Sequence, residues 1–157
     1  MKHLLVNVIA ILISLNAVFA QGASELHIKN YNLDNGLALQ GYDPVAYFNK
    51  LEAVEGNKQI SFMYSGATYY FSSPGNREEF KKDRAKYEPQ YGGWCAYAMG
   101  AKGAKVSIDP ATFKIIAGKL YLFYNHFFNN TRTSWNKDES NLKDKADANW
   151  LKIIAGQ

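Results

Sequence analysis

The sequence predicts an α+β domain, because two pairs of strand-like segments are joined by short glycine-containing loops and helical segments lie between and after them. The strand-like segments are rich in aromatic and β-branched residues, which fit a pleated, half-buried surface. The helical segments either begin at capping residues or carry apolar residues three, four and seven positions apart. The expected architecture is a small antiparallel sheet built from two β-hairpins, with helices packed on it.

Residues 1–20 have the pattern of a signal peptide. Lys2 and His3 form a short basic start, residues 4–18 are almost wholly apolar, and Ala20 lies at the expected cleavage point. The apolar run is shorter than the roughly 20 residues that a membrane-spanning helix needs. We therefore expect an exported protein, periplasmic or secreted, without stable membrane insertion after cleavage. An uncleaved anchor is the alternative.

The remaining chain of about 137 residues suits one domain with a single core. We expect an N-terminal arm at 21–36, which ends in an Asn35-Gly36 turn, and a single domain at 37–157 with a helical C-terminal tail. The formal net charge of the full sequence is +4, and acidic and basic residues are interspersed. This pattern excludes the basic stripe that would indicate a nucleic-acid partner.

The first half of the domain is predicted from capping residues and strand patterns. Asp43 caps a short helix that begins at Pro44, and Ser73 caps a longer one that begins at Pro74. The expected elements are a helix from 44, a hairpin of strands 59–64 and 68–72, a helix from 74 to 82 and a helical turn at 83–87.

In the second half, glycines mark the predicted ends of elements. A helix carries Cys95, Ala98 and Met99, and we expect Gly100 and Gly103 to end it. The elements expected after it are a strand at 105–108, a turn at 109–110, a hairpin of strands 112–116 and 119–124, a helix with Phe127, Phe128 and Trp135, and a helix with Leu142, Ala146, Trp150, Ile153 and Ile154.

Cys95 is the only cysteine, although exported proteins of this size normally use cysteines in pairs. Two glycines precede it and aromatic residues surround it, in the stretch 91–99. Three interpretations are open: a buried and inert side chain, a metal ligand or reactive group, or a disulfide between chains.

Several motifs in order resemble the exported branch of the YHS-domain proteins, and the resemblance covers nearly all of the mature chain. The motifs are Gly41-Tyr42-Asp43-Pro44-Val45-Ala46-Tyr47-Phe48, the hairpin end Tyr69-Tyr70-Phe71-Ser72-Ser73, Phe80 with Asp83 and Lys86-Tyr87, Tyr91-Gly92-Gly93-Trp94-Cys95-Ala96, Leu120-Tyr121-Leu122-Phe123-Tyr124-Asn125 and Ala146-Asp147-Ala148-Asn149-Trp150.

The resemblance implies a metal-related role, with copper as the first candidate, because YHS domains are regarded as metal-binding modules and occur in copper-transporting ATPases. In the metal-binding modules a cysteine commonly follows the Asp-Pro-Val segment, and others lie at the end of the hairpin. Here those places hold Ala46 and the run 72–76, which contains no cysteine. The resemblance therefore leaves Cys95 as the thiolate that would have to take over the role.

The hypothesis that follows is a non-enzymatic copper site at Cys95, Met99 and His126. Cys95 and Met99 are four residues apart, so a helix places both sulfurs on one face, and thiolate and thioether ligands suit Cu(I). His126 adds an imidazole if the fold brings it there. A structural zinc site needs four ligands, whereas the mature chain offers only Cys95, His27 and His126.

Three other functions remain open. Cys95 is a nucleophile in an enzyme if His126 serves as its base, with Asp43 or Asp109 to orient the imidazole. The chain is a small-ligand-binding module if Cys95 lies in an aromatic pocket, for which Trp94, Tyr42, Asp43 and Tyr97 are the candidate binding residues. It is a structural domain if the metal site has been lost and Cys95 and Met99 simply belong to the core.

Overall fold

The computed structural model describes residues 28–156, and it confirms the α+β class. The predicted signal peptide, most of the first half of the arm and His27 lie outside the described residues. The strands are β1 (Leu33–Asp34), β2 (Leu37–Ala38), β3 (Asn57–Tyr64), β4 (Ala67–Phe71), β5 (Asp109–Ile116), β6 (Lys119–Phe123), β7 (Asn125–His126) and β8 (Asn129–Asn130). The helices are α1 (Ala46–Asn49), α2 (Pro74–Lys82), α3 (Arg84–Tyr87), α4 (Ala96–Lys102), α5 (Thr131–Trp135) and α6 (Glu139–Ile154), with 3-10 turns at Leu39–Gly41 and Gln90–Gly93.

The two predicted hairpins lie in separate sheets instead of sharing one. Strands β3 and β4 belong to a four-stranded sheet in the order β1-β2-β4-β3, whereas β5 and β6 form a sheet of their own. The edge of β4 is taken by β2, which pairs with it in parallel. The outer edge of β6 is taken by parallel bridges from Pro89 to Leu120 and from Cys95 to Leu122. The stretch from Pro89 to Cys95 therefore covers the outer edge of the second sheet.

The three tight turns predicted from Xaa-Gly pairs are all present. Each has two central residues with positive φ, which is the geometry of a type I′ hairpin turn and requires residues that tolerate the left-handed region. The hairpin β3–β4 has a two-residue loop, one residue shorter than expected, because Ala67 already belongs to β4. The turns and their φ values are Asn35-Gly36 (49° and 82°), Ser65-Gly66 (49° and 80°) and Ala117-Gly118 (49° and 71°).

The predicted helix starts at the end of the first hairpin are also confirmed. The Ser73 hydroxyl accepts a hydrogen bond from the backbone N–H of Asn76 at 3.1 Å, and Pro74 is the first helical residue of α2. The Asp83 carboxylate accepts one from the N–H of Lys86 at 3.2 Å and so caps α3. Local side-chain chemistry is enough to define these boundaries.

Predictions in the second half of the chain are wrong in four places. Residues 105–108 are irregular, and Asp109 and Pro110 begin β5 instead of forming a turn. Gly100 lies inside α4, which ends at Gly103 with φ of 61°. Residues 125–130 form the hairpin β7–β8 and not a helix, because Phe127 has a φ of 52° that no right-handed helix allows. Phe127 and Phe128 are consequently exposed at its tip, by 89% and 106%.

Helix α4 packs closely on α6, and residues of both helices belong to one hydrophobic cluster. A Cβ on Gly100 would lie 2.4 Å from the carbonyl oxygen of Leu142, so only glycine allows this approach. Trp135 and Phe123 are fully buried in the same region. The helix that follows Cys95 is thus fixed between β6 and α6.

Candidate functional site

Cys95 is fully buried and directly precedes α4 as its N-cap, so the predicted helix does not include it. Its backbone holds it in this place. Its N–H donates to the carbonyl oxygen of Val106 at 2.9 Å, while its carbonyl oxygen accepts the N–H of Met99 at 3.0 Å. The side chain belongs to a cluster with Leu120 and Leu122 of β6. The local fold therefore places the thiol beneath the surface, between the second sheet and α4.

The thiol of Cys95 is hydrogen-bonded on both sides. The backbone N–H of Tyr124 donates to Sγ at 3.3 Å, and Thr131 Oγ1 lies 3.4 Å from Sγ. The Thr131 hydroxyl donates its own hydrogen to the carbonyl oxygen of Tyr124 at 2.8 Å. Because that hydrogen is already used, the S–H group is the donor to Thr131. The thiol thus joins the end of β6 to the start of α5.

A cavity of about 430 Å³ borders Cys95. Its aromatic walls come from Tyr97 and Tyr124, and Lys102 supplies an ammonium group, while no carboxylate occurs among the described residues that line it. The full lining is Cys95, Tyr97, Ala98, Lys102, Val106, Tyr124, Asn129, Thr131 and Ser134. Its volume lies within the range of small-molecule sites, about 300–1,000 Å³.

The three residues predicted as metal ligands have different surroundings. Cys95 and Met99 are both fully buried, but Met99 packs in another core cluster, with Tyr91 and Trp135. His126 is exposed on β7, where its ring meets that of Phe127 with centroids 4.1 Å apart. Across residues 28–156, no three His, Cys, Asp or Glu side chains are grouped so that they could hold a metal ion.

Of the four predicted ligand-binding residues, Tyr97 lines the Cys95 cavity and the other three lie elsewhere. The indole N–H of Trp94 donates to the carbonyl oxygen of Asn30 at 2.7 Å, which ties the N-terminal segment to the glycine-rich turn. Tyr42 is partly buried and forms an isolated bridge with Glu55. These two residues therefore have structural contacts.

Asp43 is fully buried and connects three segments of the first half of the chain. Its Oδ1 accepts the N–H groups of Val45 and Ala46, at 2.9 and 3.4 Å, and so holds the turn that leads into α1, which begins at Ala46 and not at Pro44 as predicted. Its Oδ2 accepts the N–H and hydroxyl of Ser72, at 2.7 and 2.6 Å, and the amide of Asn76 at 2.6 Å. The positions at which the family resemblance implies thiolates thus surround this carboxylate.

Asp109, considered above as an orienter for a catalytic base, has a similar structural role. It accepts hydrogen bonds from the N–H of Ala111, the hydroxyl of Thr112 and the amide of Asn125, at 3.0, 2.7 and 3.2 Å. These contacts shape the start of β5 and its junction with β7.

Most of the cavity lining could not be found from the sequence. Thr131 and Ser134 lie in α5, and they reach Cys95 only because the hairpin β7–β8 turns the chain back, whereas the pattern predicted a helix there. Lys102 lies one residue before the predicted and observed end at Gly103, where a basic residue usually stabilises a helix terminus. Among the lining residues other than Cys95, only Tyr97, two residues further along the chain, was predicted as a candidate binding residue.

Comparison of the chain with protein-family models, with curated proteins and with solved structures finds no match. Within the described part of the chain, no helix is both long and apolar enough to cross a membrane.

The burial of Cys95 predicts a thiol that reacts slowly in the folded protein. A thiol-specific reagent at neutral pH should modify Cys95 at least about 100-fold more slowly in buffer than in 8 M urea, because access requires local opening. The measurement is the rate of disulfide exchange with an aromatic disulfide reagent, with Cys95→Ser as the blank. Fast modification without urea would instead support a nucleophilic cysteine.

Proposed function

We propose that this chain is an exported, YHS-like binding module that holds a small organic molecule in the Cys95 cavity, without catalysing a reaction. The observation that carries the proposal is the cavity itself, about 430 Å³, which is lined by two tyrosines and by several polar side chains. Orienting polar groups in a mostly apolar cleft are the usual composition of a small-molecule site. The family resemblance supports the YHS-like character of the module, and the signal-peptide pattern supports its export.

The lining favours a flat molecule with a negative charge. Tyr97 and Tyr124 offer aromatic surface, and Val106 adds an aliphatic wall. Lys102 is the cation in the lining, and with no carboxylate among the described lining residues it attracts an anionic group. Asn129 and Ser134 add amide and hydroxyl groups that can orient such a ligand.

The proposal is tested with 2-naphthoate, a flat aromatic carboxylate that fits the cavity. Ser134 lines the cavity from α5, so Ser134→Trp fills it, and we expect 2-naphthoate to bind at least about tenfold more weakly in a calorimetric titration. Ser140→Trp, at an exposed position of α6, makes the same change outside the cavity and should keep the wild-type affinity. Equal loss in both variants, or no binding to the wild type, would refute the proposal.

The charge of Lys102 is tested with a neutral analogue. We expect 2-naphthamide to bind about three- to tenfold more weakly than 2-naphthoate, and Lys102→Gln to remove most of that difference, because a partly screened ion pair contributes on the order of 1 kcal/mol. Lys152→Gln, at an exposed position of α6, is the matched control for net charge. A preference for the carboxylate that survives in Lys102→Gln would assign the charge selectivity to another group.

A second candidate is Cu(I) binding by the thiolate of Cys95, which is the one sulfur ligand among the described residues that line the cavity. Cu(I) favours thiolate and thioether ligands. Titration with Cu(I) against a competing chelator should then give an affinity at least about tenfold higher for the wild type than for Cys95→Ser. Equal affinity in the two proteins would rule this candidate out.

A further inference from the structure

The hairpin β7–β8 ends in a tip of two adjacent phenylalanines, Phe127 and Phe128, which project from the described part of the chain. Their exposed fractions, 89% and 106%, are the highest among the large apolar side chains of residues 28–156. The strands pair through His126 and Asn129, so the two phenylalanines form the whole loop between them. Single exposed apolar residues are common on protein surfaces, whereas two neighbouring aromatic rings at one projecting point indicate an interaction site.

The backbone of the tip would suit a smaller or more polar residue. Phe127 has a φ of 52°, in the left-handed region that glycine and asparagine adopt most readily. At the corresponding position the other two-residue turns have Asn35, Ser65 and Ala117, each with a φ of 49°. Strain and exposure together disfavour phenylalanine here on grounds of stability alone, which points to a contact outside the chain.

Neighbouring rings hold the tip in one arrangement. The ring of His126 meets that of Phe127 edge to face, with centroids 4.1 Å apart and planes inclined by 86°. Tyr124 follows, with its ring centroid 6.5 Å from that of His126. The N–H of Thr131 donates to the carbonyl oxygen of Tyr124 at 3.0 Å and closes the base of the hairpin. An apolar partner therefore meets a preorganised tip, so little conformational entropy is lost on contact.

The segment that carries the tip is basic. Residues 110–137 contain three lysines and one arginine but no aspartate or glutamate. Lys114 is neutralised by an ion pair with α6, whereas Lys137 is exposed and Arg132 lies in α5, directly after β8. Asp109, just before the segment, uses its carboxylate to accept hydrogen bonds from within it. A negatively charged surface is therefore a better match for this part of the protein than a neutral one.

We propose that the β7–β8 tip docks the protein reversibly on an anionic phospholipid surface, with both phenyl rings at the boundary between headgroups and acyl chains. Two aromatic rings bury about 150–250 Å² each, well below the roughly 800 Å² per partner of a specific protein–protein interface, but enough for a weak peripheral contact that charge assists. Asn125, Asn129 and Asn130 flank the rings with polar side chains that stay among the headgroups. The proposal does not rest on a ligand in the Cys95 cavity.

The test is co-sedimentation of the exported protein with vesicles of equal parts phosphatidylcholine and phosphatidylglycerol. Phe127→Asn combined with Phe128→Ser removes both rings, and asparagine suits the left-handed φ, so the hairpin keeps its turn. We expect this double variant to bind the vesicles at least about tenfold more weakly than the wild type, because the apolar area of two rings no longer leaves water. Thermal unfolding should show it to be at least as stable as the wild type.

The matched control makes the same two replacements elsewhere. Leu51→Asn combined with Met63→Ser removes two apolar side chains that are 68% and 69% exposed, and Leu51 also has a left-handed φ, of 55°. This control should bind the vesicles as the wild type does. All the proteins carry the same N-terminal end, so its contribution cancels in the comparison of the two double variants.

Vesicles of phosphatidylcholine alone measure the contribution of charge. The wild type should bind them at least about threefold more weakly, because the basic segment then has no anionic headgroups to attract. Equal binding of the wild type to both kinds of vesicle would overturn the assignment to an anionic surface. The proposal is also overturned if the two double variants bind alike. If the wild type does not sediment with either vesicle at up to about 5 mM lipid, the tip belongs to a protein partner instead.

Discussion

Replacing Asp43 by alanine should lower the free energy of unfolding by about 4 kcal/mol, the largest effect that we expect from any single polar substitution. The carboxylate accepts five hydrogen bonds in a fully buried place, and its loss leaves the N–H of Ser72 and the amide of Asn76 without their acceptor. It also removes the acceptor for the N–H groups of Val45 and Ala46 in the turn that leads into α1. Urea unfolding followed by circular dichroism measures the change.

Asp43→Asn distinguishes hydrogen-bond geometry from volume. The amide keeps one oxygen, but its NH₂ group faces either the donors of Ser72 and Asn76 or those of Val45 and Ala46, so most of the loss should remain. Asp144→Ala, an exposed position of α6, is the matched control and should change stability by less than about 0.5 kcal/mol. If Asp43→Asn were as stable as the wild type, the carboxylate would not be the acceptor that connects the three segments.

The same chemical change, glycine to alanine, should have opposite effects at two helical positions. In Gly100→Ala the new methyl group lies 2.4 Å from the carbonyl oxygen of Leu142, which is backbone and cannot move aside. Helices α4 and α6 must then separate, and we expect a loss of about 2–3 kcal/mol. In Gly75→Ala, in the exposed first turn of α2, the nearest atom is Ser73 Oγ at 3.7 Å.

Gly75→Ala should therefore leave stability unchanged or raise it by up to about 1 kcal/mol, because alanine restricts the unfolded chain and has the higher helix propensity. Thermal unfolding of the two variants beside the wild type measures the change in stability for both substitutions in one experiment. A neutral Gly100→Ala would mean that α4 and α6 are not in backbone contact.

Local chemistry explains which features the sequence could predict. Three turns could be predicted without any tertiary information, because they depend on backbone conformations that glycine and a few small or polar residues adopt. These turns are Asn35-Gly36, Ser65-Gly66 and Ala117-Gly118. The capping by Ser73 and Asp83 uses bonds between residues three apart. The α+β class follows from these elements, and it is confirmed.

Features that depend on contacts between distant parts of the chain could not be predicted from the sequence. The apolar pattern at 125–135 predicted one helix, yet its first part is a hairpin whose two phenylalanines are exposed, and this reversal brings Thr131 to Cys95. The separate sheets have a similar cause: β2 takes the edge of β4, and β1, which comes from the segment expected to be an arm, pairs with β2. Periodicity records which residues are apolar, but it does not say which element covers them.

The same limit applies to the Cys95 cavity. Cys95 and Tyr97 are two residues apart in the chain, so the cavity is partly predictable, but Lys102, Tyr124, Thr131 and Ser134 join it through the tertiary fold. Likewise, Tyr91 and Asp147 are 56 residues apart and meet through one hydrogen bond. No local pattern distinguishes such an aspartate from a solvated one.

The central claim, a ligand in the Cys95 cavity, is tested most directly by a two-dimensional ¹⁵N NMR titration of the wild type with 2-naphthoate. We expect the largest, saturable shifts at the backbone amides of Cys95, Tyr124 and Thr131, with those of Tyr31 and Trp150, which lie beside Gly92 and do not line this cavity, unchanged. Shifts confined to the exposed tip at Phe127 and Phe128, or none that saturate, would contradict the claim.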